Sequence, residues 1–217
     1  MKNKRSIAVM WLAALIQPAA LAAVWRRMPE QVPTHFGLDG QADGYGSRWT
    51  LWMLAGLGAL FAVLFQIIPR LDPRRRNYEK FQKYYDLFAV GMELFLLAVN
   101  TMMLTEILHP GTVSIGRGIL LLVSVLFILL GNMMGKIKPN YFFGIRTPWT
   151  MADPDVWTRT HRLCGWLWFV WGVVLMPCSL LLPERVVFWV LMSGIVGISA
   201  VSLGYSYACY HRRGRAE

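Results

Sequence analysis

The sequence is poor in charged residues, cysteines and recognisable catalytic motifs. Charged residues make up 16% of the 217 positions, whereas about 25% is usual in a soluble globular domain. The three cysteines, Cys164, Cys178 and Cys209, are too few and too scattered for a disulfide framework or a zinc site. The motifs HExxH, GxSxG, paired CxxC and the phosphate-binding GxxxxGK are absent. The low content of charged residues excludes a disordered chain, which needs a high charge density. It also argues against an ordinary cytosolic enzyme. The absences together predict no catalytic residues, metal or cofactor.

Apolar residues, in contrast, are abundant and occur in long runs. They make up 56% of the chain. A transmembrane helix needs about 20 mostly apolar residues, and six runs of this kind lack the two-residue alternation of a strand. We therefore predict an all-α integral membrane protein with six transmembrane helices. These lie at approximately residues 6–25, 49–69, 87–108, 118–135, 163–182 and 186–208.

The basic residues predict how the six helices are oriented. Of the 22 Lys and Arg residues, 17 lie on one side of the predicted membrane, although Arg26 and Arg27 directly follow the first helix on the other side. The positive-inside rule therefore places both termini in the cytoplasm. The net charge of +10 reflects this orientation. Because the basic residues are divided among four cytoplasmic segments, we expect no direct nucleic-acid partner.

The first apolar run has a second interpretation. The preceding basic residues, the run itself and the tripeptide Ala20-Leu21-Ala22 resemble a secretory signal peptide. Cleavage would leave five spans and an external amino terminus. We favour six spans, because the run is long for a signal peptide and because the charge distribution agrees with six.

The predicted outer loop, residues 26–48, is rich in glycine and proline, which favour a compact series of turns. Asp39-Gly40 and Asp43-Gly44 are turn dipeptides, so a short β-hairpin can form around them. His35 and the two aspartates could face a divalent cation, but capping of turns is the simpler interpretation. The candidate site residues of this loop are Pro33, His35, Phe36, Gly37, Gly40, Asp43 and Gly44.

The loop after the fourth predicted helix, residues 136–161, is the most informative stretch. Pro139, Gly144 and Pro148 would each interrupt a helix. Asp153-Pro154 has the pattern of an N-cap followed by proline at the first helical position. A helix that begins there continues into the fifth span and places Trp157 and His161 on one face. His161 either titrates near neutral pH or is a hydrogen-bonded packing residue, and we favour packing.

Two stretches of the chain carry a resemblance. Residues 131–168, GNMMGKIKPNYFFGIRTPWTMADPDVWTRTHRLCGWLW, resemble the signature of the SdpI-like family of bacterial membrane proteins. Residues 28–49, MPEQVPTHFGLDGQADGYGSRW, resemble a domain of unknown function that often forms the amino-terminal part of those proteins. With their flanking helices, the two blocks cover nearly the whole chain. The motif residues of the inner loop are Asn132, Lys136, Pro139, Asn140, Gly144, Arg146, Thr147, Pro148, Trp149, Thr150, Trp157 and His161.

The resemblance implies a multi-pass immunity protein of the bacterial cytoplasmic membrane, which protects the cell against a secreted, membrane-active peptide or senses envelope stress. It also implies a signalling role in which a transcriptional repressor is held at the membrane. The expected partners are thus the lipid bilayer, a toxic peptide outside and a repressor inside. Neither the particular peptide nor the oligomeric state follows from it.

The two blocks suggest three parts of the chain. Residues 1–69 form an amino-terminal two-span unit with the turn-rich outer loop, and residues 70–86 form a basic cytoplasmic linker. Residues 87–217 form an SdpI-like four-span unit that contains the cytoplasmic motif loop.

Polar side chains inside the predicted spans are functional candidates, because burying them in lipid is costly. Glu93 and Asn100 are seven residues apart and share one face of the third helix. Glu93 could pair with Arg146 or handle protons or a ligand, and we favour pairing. Gln17 and Gln66 are candidates for hydrogen bonds between helices.

Small residues predict where helices approach closely. Gly131 and Gly135 form a GxxxG pattern. We expect these glycines and a stripe on the last helix to pack within the chain. The stripe consists of Ser193, Gly197, Ala200 and Gly204.

Two other functions stay open. Glu93, Asn100 and His161 are compatible with a small proton-coupled transporter or channel. A membrane enzyme with its site at the cytoplasmic loop would instead use Arg146, Asp153 and His161, and would need them to converge on a pocket.

Overall fold

The computed structural model describes residues 3–213, which form a helical bundle with one small sheet. Six of its helices are long and apolar enough to cross a membrane, which confirms the predicted number. In chain order the elements are α1 (Lys4–Val24), β1 (Gln31–Phe36), β2 (Ala42–Ser47), α2 (Thr50–Leu71), α3 (Tyr78–Leu108), α4 (Ile115–Met134), α5 (Pro148–Ala152), α6 (Pro154–Leu181) and α7 (Glu184–Arg213). Single 3₁₀ turns occur at Trp25–Arg27 and Arg75–Asn77.

Two of the spans begin earlier than their apolar runs, because the helix continues into polar sequence. α3 begins at Tyr78, so more than half of the stretch 70–86 is helical. α6 begins at Pro154, as predicted, and Asp153 is its N-cap. The Asp153 carboxylate accepts hydrogen bonds from the backbone N–H groups of Asp155 and Val156, at 2.7 and 3.3 Å. Residues 154–161 of the predicted motif loop therefore belong to a transmembrane helix.

The lateral surface of the bundle is apolar. Leu12, Met53 and Val196, on three different helices, expose 62, 75 and 67% of their surface. Exposed apolar surface on this scale is unfavourable in water and favourable against hydrocarbon chains. Together with the six spanning helices, it makes the chain a multi-pass membrane protein embedded in a lipid bilayer.

The helices α4 and α6 approach each other closely, because glycines of one face the backbone of the other. A Cβ atom on Gly131 would lie 2.6 Å from the carbonyl oxygen of Gly165. A Cβ on Gly172 would lie 2.8 Å from the backbone nitrogen of Ile128. Both distances are shorter than van der Waals contact, so only glycine permits this approach. The predicted packing of Gly131 is confirmed.

The predicted packing of the small-residue stripe on α7 is wrong. All four residues of the stripe are exposed, and a Cβ atom added to Gly197 or Gly204 would meet no atom of another element within 4 Å in the described part of the chain. α7 packs through its opposite face, which includes the buried residues Leu191, Ile198 and Ser202. Sequence spacing shows which residues share a helix face, but not which face meets a neighbour.

The sheet is a single antiparallel hairpin of β1 and β2, as the turn dipeptides suggested. Asp39-Gly40 lies in the connecting turn. Asp43-Gly44 does not form a second turn; Gly44 lies within β2 opposite His35, where the strand pairing is irregular.

The loops of the bundle gather at two ends. The hairpin end comprises residues 28–48, the α3–α4 turn at 109–114 and the start of α7, which together line one cleft. The motif-loop end comprises the motif loop, which we define from here on as residues 136–153, and the α2–α3 turn at 72–77. Near this end, a hydrogen bond joins Asn3, at the start of α1, to Asp86 of α3, and another joins Thr147 of the motif loop to Ser206 of α7.

The glycine contact between α4 and α6 predicts a stability difference between two identical substitutions. We expect Gly172→Ala to lower the free energy of unfolding by about 1–3 kcal/mol, because the added methyl group overpacks the interface. Gly197→Ala, on the open face of α7, should leave the stability unchanged or raise it slightly, because alanine is the better helix former. Thermal unfolding in detergent measures both. An equal effect of the two variants would show that the close approach does not contribute to stability.

Candidate functional site

Asn140 organises the motif loop from within. Its side chain is fully buried. The Oδ1 atom accepts hydrogen bonds from the backbone N–H groups of Phe142 and Phe143, at 3.0 and 2.6 Å. The Nδ2 atom donates to the carbonyl oxygens of Lys138 and Phe143, both at 2.9 Å. One amide thus satisfies backbone groups of a loop that has no regular hydrogen-bond ladder.

Asp72 joins the motif loop to the α2–α3 turn. It is 2% exposed, and its carboxylate accepts from the backbone N–H groups of Arg74 and Tyr141, at 2.7 and 2.9 Å. It also accepts from the Tyr78 hydroxyl at 3.0 Å. The predicted linker is therefore a structural partner of the motif loop.

Sequence reasoning missed Asp72 and Tyr78, because the stretch around them is dominated by arginine and lysine. A signal was present. Asp72-Pro73 repeats the Asp-Pro pattern that identified Asp153 as a cap.

His161 is a packing residue, as favoured from the sequence. Its Nε2 atom accepts a hydrogen bond from the backbone N–H of Ile145 at 2.9 Å, and its Nδ1 atom lies 2.8 Å from the carbonyl oxygen of Trp157. Because Nε2 is an acceptor, the ring carries its proton on Nδ1 and is neutral. The ring stacks on Trp157 at 4.1 Å, and the Trp157 indole donates to the Ile137 carbonyl at 2.9 Å.

Gly144 is required where the loop crosses this stacked pair. Its φ angle is +106°, which side chains other than glycine rarely adopt. A Cβ there would also collide with Nε2 of His161. Any other residue would break the Ile145–His161 hydrogen bond next to it.

Thr147 and Thr150 form a capping box that begins α5, with Pro148 at the first helical position. The Thr147 hydroxyl also donates to the Ser206 hydroxyl of α7 at 3.0 Å. Trp149 packs edge-on against Tyr207 with ring centres 5.1 Å apart. These contacts attach α5 to α7.

Other residues of the motif are exposed to solvent. Asn132 and Lys136 line a cleft between α3, α4 and α6. The Arg146 guanidinium is exposed and donates to the carbonyl oxygen of Tyr141. Tyr141 and Phe142 expose 45 and 43% of their surface. The motif thus contains a buried scaffold and a second group of side chains that face solvent.

The predicted pairing of Glu93 with Arg146 is wrong. Glu93 is fully buried, and neither carboxylate oxygen has a hydrogen-bond partner among residues 3–213. Asn100, on the same face of α3, donates to Oε1 of Gln17 at 2.7 Å, which confirms the predicted helix-to-helix bond of Gln17. Gln66 bonds instead to the Ala62 carbonyl of its own helix, so the prediction for that residue is wrong.

The cleft at the hairpin end has a volume of about 500 Å³ and includes Pro33, Phe36 and Gly40 of the predicted outer-loop set. Asp39, Glu106 and Glu184 also line it. His35 and Asp43 lie outside it, where they form an exposed pair at 2.5 Å. Gly37 and Gly44 are backbone positions of the hairpin, next to Asp39 and His35 respectively.

Each cleft carboxylate has a structural contact. Asp39 accepts from the Gln41 N–H at 3.1 Å. Glu106 accepts from the N–H groups of Gly111 and Val113 at 2.8 and 3.0 Å. Glu184 accepts from the Ser114 hydroxyl at 2.6 Å, whereas its Oε2 atom is buried without a partner in the described part of the chain. Within residues 3–213, no group of three or more His, Cys, Asp or Glu side chains could hold a metal ion.

Comparison with known proteins finds a match for each of the two sequence blocks. Residues 136–206 match the SdpI/YfhL protein family, and residues 9–59 match a domain of unknown function, DUF1648. The chain is 23% identical over 213 residues to Immunity protein SdpI of Bacillus subtilis, which covers 97% of this chain and 95% of that protein. It is 35% identical over 92 residues to an uncharacterized protein of Archaeoglobus fulgidus, which covers 42% of this chain and 45% of that protein. No solved structure matches.

The family match spans the motif loop, α5, α6 and most of α7, whereas the DUF1648 match spans most of α1, the hairpin and the first part of α2. The described scaffold around Asn140 and His161 lies within the family match. The carboxy-terminal part of the chain therefore carries an SdpI/YfhL family region, and the amino-terminal part carries a DUF1648 region.

Proposed function

We propose that this protein is a membrane immunity protein that protects its cell against a membrane-active peptide. The observation that carries the proposal is the similarity to Immunity protein SdpI, because it runs through nearly the full length of both chains. It therefore includes the hairpin end as well as the motif-loop end. A match confined to apolar helices would carry less weight, since such helices resemble one another by composition.

In the proposed orientation, the motif-loop end faces the cytoplasm and the hairpin end faces outward across the bacterial cytoplasmic membrane. The support is the distribution of charge, since 17 of the 22 basic residues fall in segments on the motif-loop side. In this orientation the three parts predicted from the sequence have separate positions. The 1–69 unit presents the hairpin outward, and the 70–86 stretch supports the motif loop of the 87–217 unit.

The hairpin-end cleft is the proposed point of contact with the peptide. Asp39, Glu106 and Glu184 line it, and none of its described lining residues is Lys or Arg. Many peptides that attack membranes are basic and amphipathic, so an acidic cleft is complementary to them in charge.

The exposed part of the motif loop is the proposed contact with a cytoplasmic regulator. Tyr141 and Phe142 present aromatic surface there, beside the Arg146 guanidinium. Aromatic and arginine side chains are enriched in protein–protein interfaces. The buried scaffold beneath them holds this surface in a fixed conformation.

A second candidate function is a proton-coupled transporter or channel. The Glu93 carboxyl favours it, because it is fully buried and has no hydrogen-bond partner among residues 3–213. An enzyme receives less support, because each candidate side chain has a structural contact. His161 and Arg146 bond to backbone groups, and Asp153 caps α6.

Removing the protein should sensitise its cell to at least one membrane-active peptide, and a Glu184→Gln variant should restore protection poorly. We expect about a tenfold lower inhibitory concentration for the variant, which corresponds to about 1.4 kcal/mol of lost binding. Glutamine keeps an acceptor for Ser114 but removes the charge. Inhibitory concentrations across a panel of peptides measure the effect.

Glu30→Gln is the matched control, because Glu30 is exposed at the same end but does not line the cleft. Equal loss in the two variants would remove the cleft from the mechanism. Unchanged sensitivity of the deletion strain to the whole panel would remove the immunity function itself.

The regulatory contact predicts that Phe142→Ala separates signalling from protection. Peptide-induced transcription, read with a reporter fused to the promoter that responds, should fall, whereas the inhibitory concentration should stay at the wild-type value. Tyr210→Ala is the control, since it removes an exposed aromatic ring from the end of α7. A reporter response that stays normal in Phe142→Ala would contradict the proposed contact.

The transport alternative predicts that purified wild-type protein moves protons or a coupled solute in liposomes and that Glu93→Gln abolishes this flux. The physical reason is that glutamine has the shape of glutamate but cannot exchange a proton. A pH-sensitive dye inside the vesicles measures the flux. If wild-type protein shows no flux for any tested solute, the transport function is wrong.

A further inference from the structure

A second cleft lies at the motif-loop end and is not used by the proposed function. It has a volume of about 700 Å³ and opens between α3, α4 and α6. Lys80, Lys136, Lys138 and Arg162 line it, and among its described lining residues none is acidic. All four cations are exposed. The concentration of positive charge in one concave site suits a phosphate-bearing anion.

The floor of this cleft is backbone rather than side chain. Gly131, Gly135 and Gly165 line it, where α4 and α6 touch. The Arg162 stem lies over Gly135, since a Cβ on that glycine would be 3.4 Å from Cγ of Arg162. The exposed Asn132 amide adds hydrogen-bond capacity at the same place.

An apolar strip leads away from the cations along α6. Trp166 and Phe169 line the cleft and expose 63 and 38% of their surface. Val173, four residues further along the same face, exposes 47%. A ligand that fits the whole site therefore has a negatively charged head and a hydrocarbon tail.

We propose that this cleft is a binding site for the headgroup of an anionic glycerophospholipid. The lysines and Arg162 bind the phosphate, and the acyl chains lie against the strip of Trp166, Phe169 and Val173. Asn132 and Lys136 are motif residues predicted from the resemblance, but their side chains make no hydrogen bond to the loop scaffold among residues 3–213, and lipid binding gives both a role. Basic pockets between transmembrane helices are known to accept anionic headgroups.

A structural role for the cations is the competing explanation. Lys136 and Lys138 follow the end of α4, where positive charge stabilises a helix. That role predicts lower thermal stability in every lipid when they are replaced. Lipid binding predicts a loss that depends on the headgroup.

The test uses the full-length protein in detergent with added phosphatidylglycerol or phosphatidylcholine. Native mass spectrometry counts bound lipids, and thermal unfolding measures their stabilising effect. We expect wild-type protein to retain phosphatidylglycerol and to be stabilised by it more than by phosphatidylcholine. We expect Lys136→Gln combined with Arg162→Gln to bind phosphatidylglycerol roughly tenfold more weakly, with little change in phosphatidylcholine.

Arg75→Gln combined with Arg76→Gln is the matched control, because it removes the same charge from exposed residues outside the cleft. It should retain wild-type lipid binding. Equal loss in both double variants would overturn the proposal, as would equal binding of the two lipids by the wild-type protein. The comparison of the two lipids on the wild-type protein tests the proposal even if a variant fails to fold.

A second set of measurements, made with soluble phosphate compounds, distinguishes a lipid ligand from a free phosphate ligand. Inorganic phosphate and glycerol 3-phosphate should neither stabilise the protein nor displace phosphatidylglycerol at equal concentration, because they lack the tail. If either binds as tightly as the lipid, the site belongs to a soluble anion and the lipid proposal is wrong.

Discussion

The backbone contact between α4 and α6 is the constraint on which the rest of the motif-loop end depends. The loop leaves α4 and returns through α5 into α6, so the separation of these two helices sets the span that it must bridge. Gly131 and Gly165 bring the helix backbones into direct contact. The same glycines form the floor of the cationic cleft. A side chain at either position would separate the helices and alter both features together.

Within that frame, a few buried polar side chains replace secondary structure. Asn140 and Asp72 satisfy the backbone of the motif loop and of the α2–α3 turn, and His161 holds Ile145. Each of these side chains is 2% exposed or less. An irregular loop at a membrane surface has few other partners for its N–H groups, and an unsatisfied buried group costs about 1–3 kcal/mol. The motif is therefore in large part a folding motif, and its exposed members are the better candidates for recognition.

The two ends of the bundle differ in charge as well as in structure. The hairpin-end cleft is lined by three carboxylates and the motif-loop cleft by four cations. This difference agrees with the two ligands proposed above, a basic peptide at one end and an anionic lipid at the other. The hairpin is also tied to the helices, since Gly40 lies against Glu184 at the start of α7. A ligand bound at the hairpin end would thus touch the helix whose last turns contact Thr147 of the motif loop.

Some of this structure follows from local sequence. Runs of apolar residues identify six spans because a helix that satisfies its own backbone is the simplest structure that crosses lipid. Asp153-Pro154 marks the start of α6 because a carboxylate before a proline caps a helix without distant contacts. Asp39-Gly40 marks the hairpin turn because glycine readily adopts the positive φ angle, +74° at Gly40, that occurs in the turn.

Tertiary structure alone decided the partners of the polar and small residues. Gln17 and Gln66 each lie within a predicted span, yet only Gln17 accepts a hydrogen bond from another helix, through Asn100, whereas Gln66 bonds to its own helix. The small-residue stripe on α7 faces away from the other helices, whereas Gly131 packs directly against the backbone of α6. Spacing along a helix specifies a face, but the rotation of that helix in the bundle depends on the packing of all its neighbours. The sequence by itself therefore determined the number of spans and the start of α6, because these depend on local composition and capping, and packing determined which side chains meet.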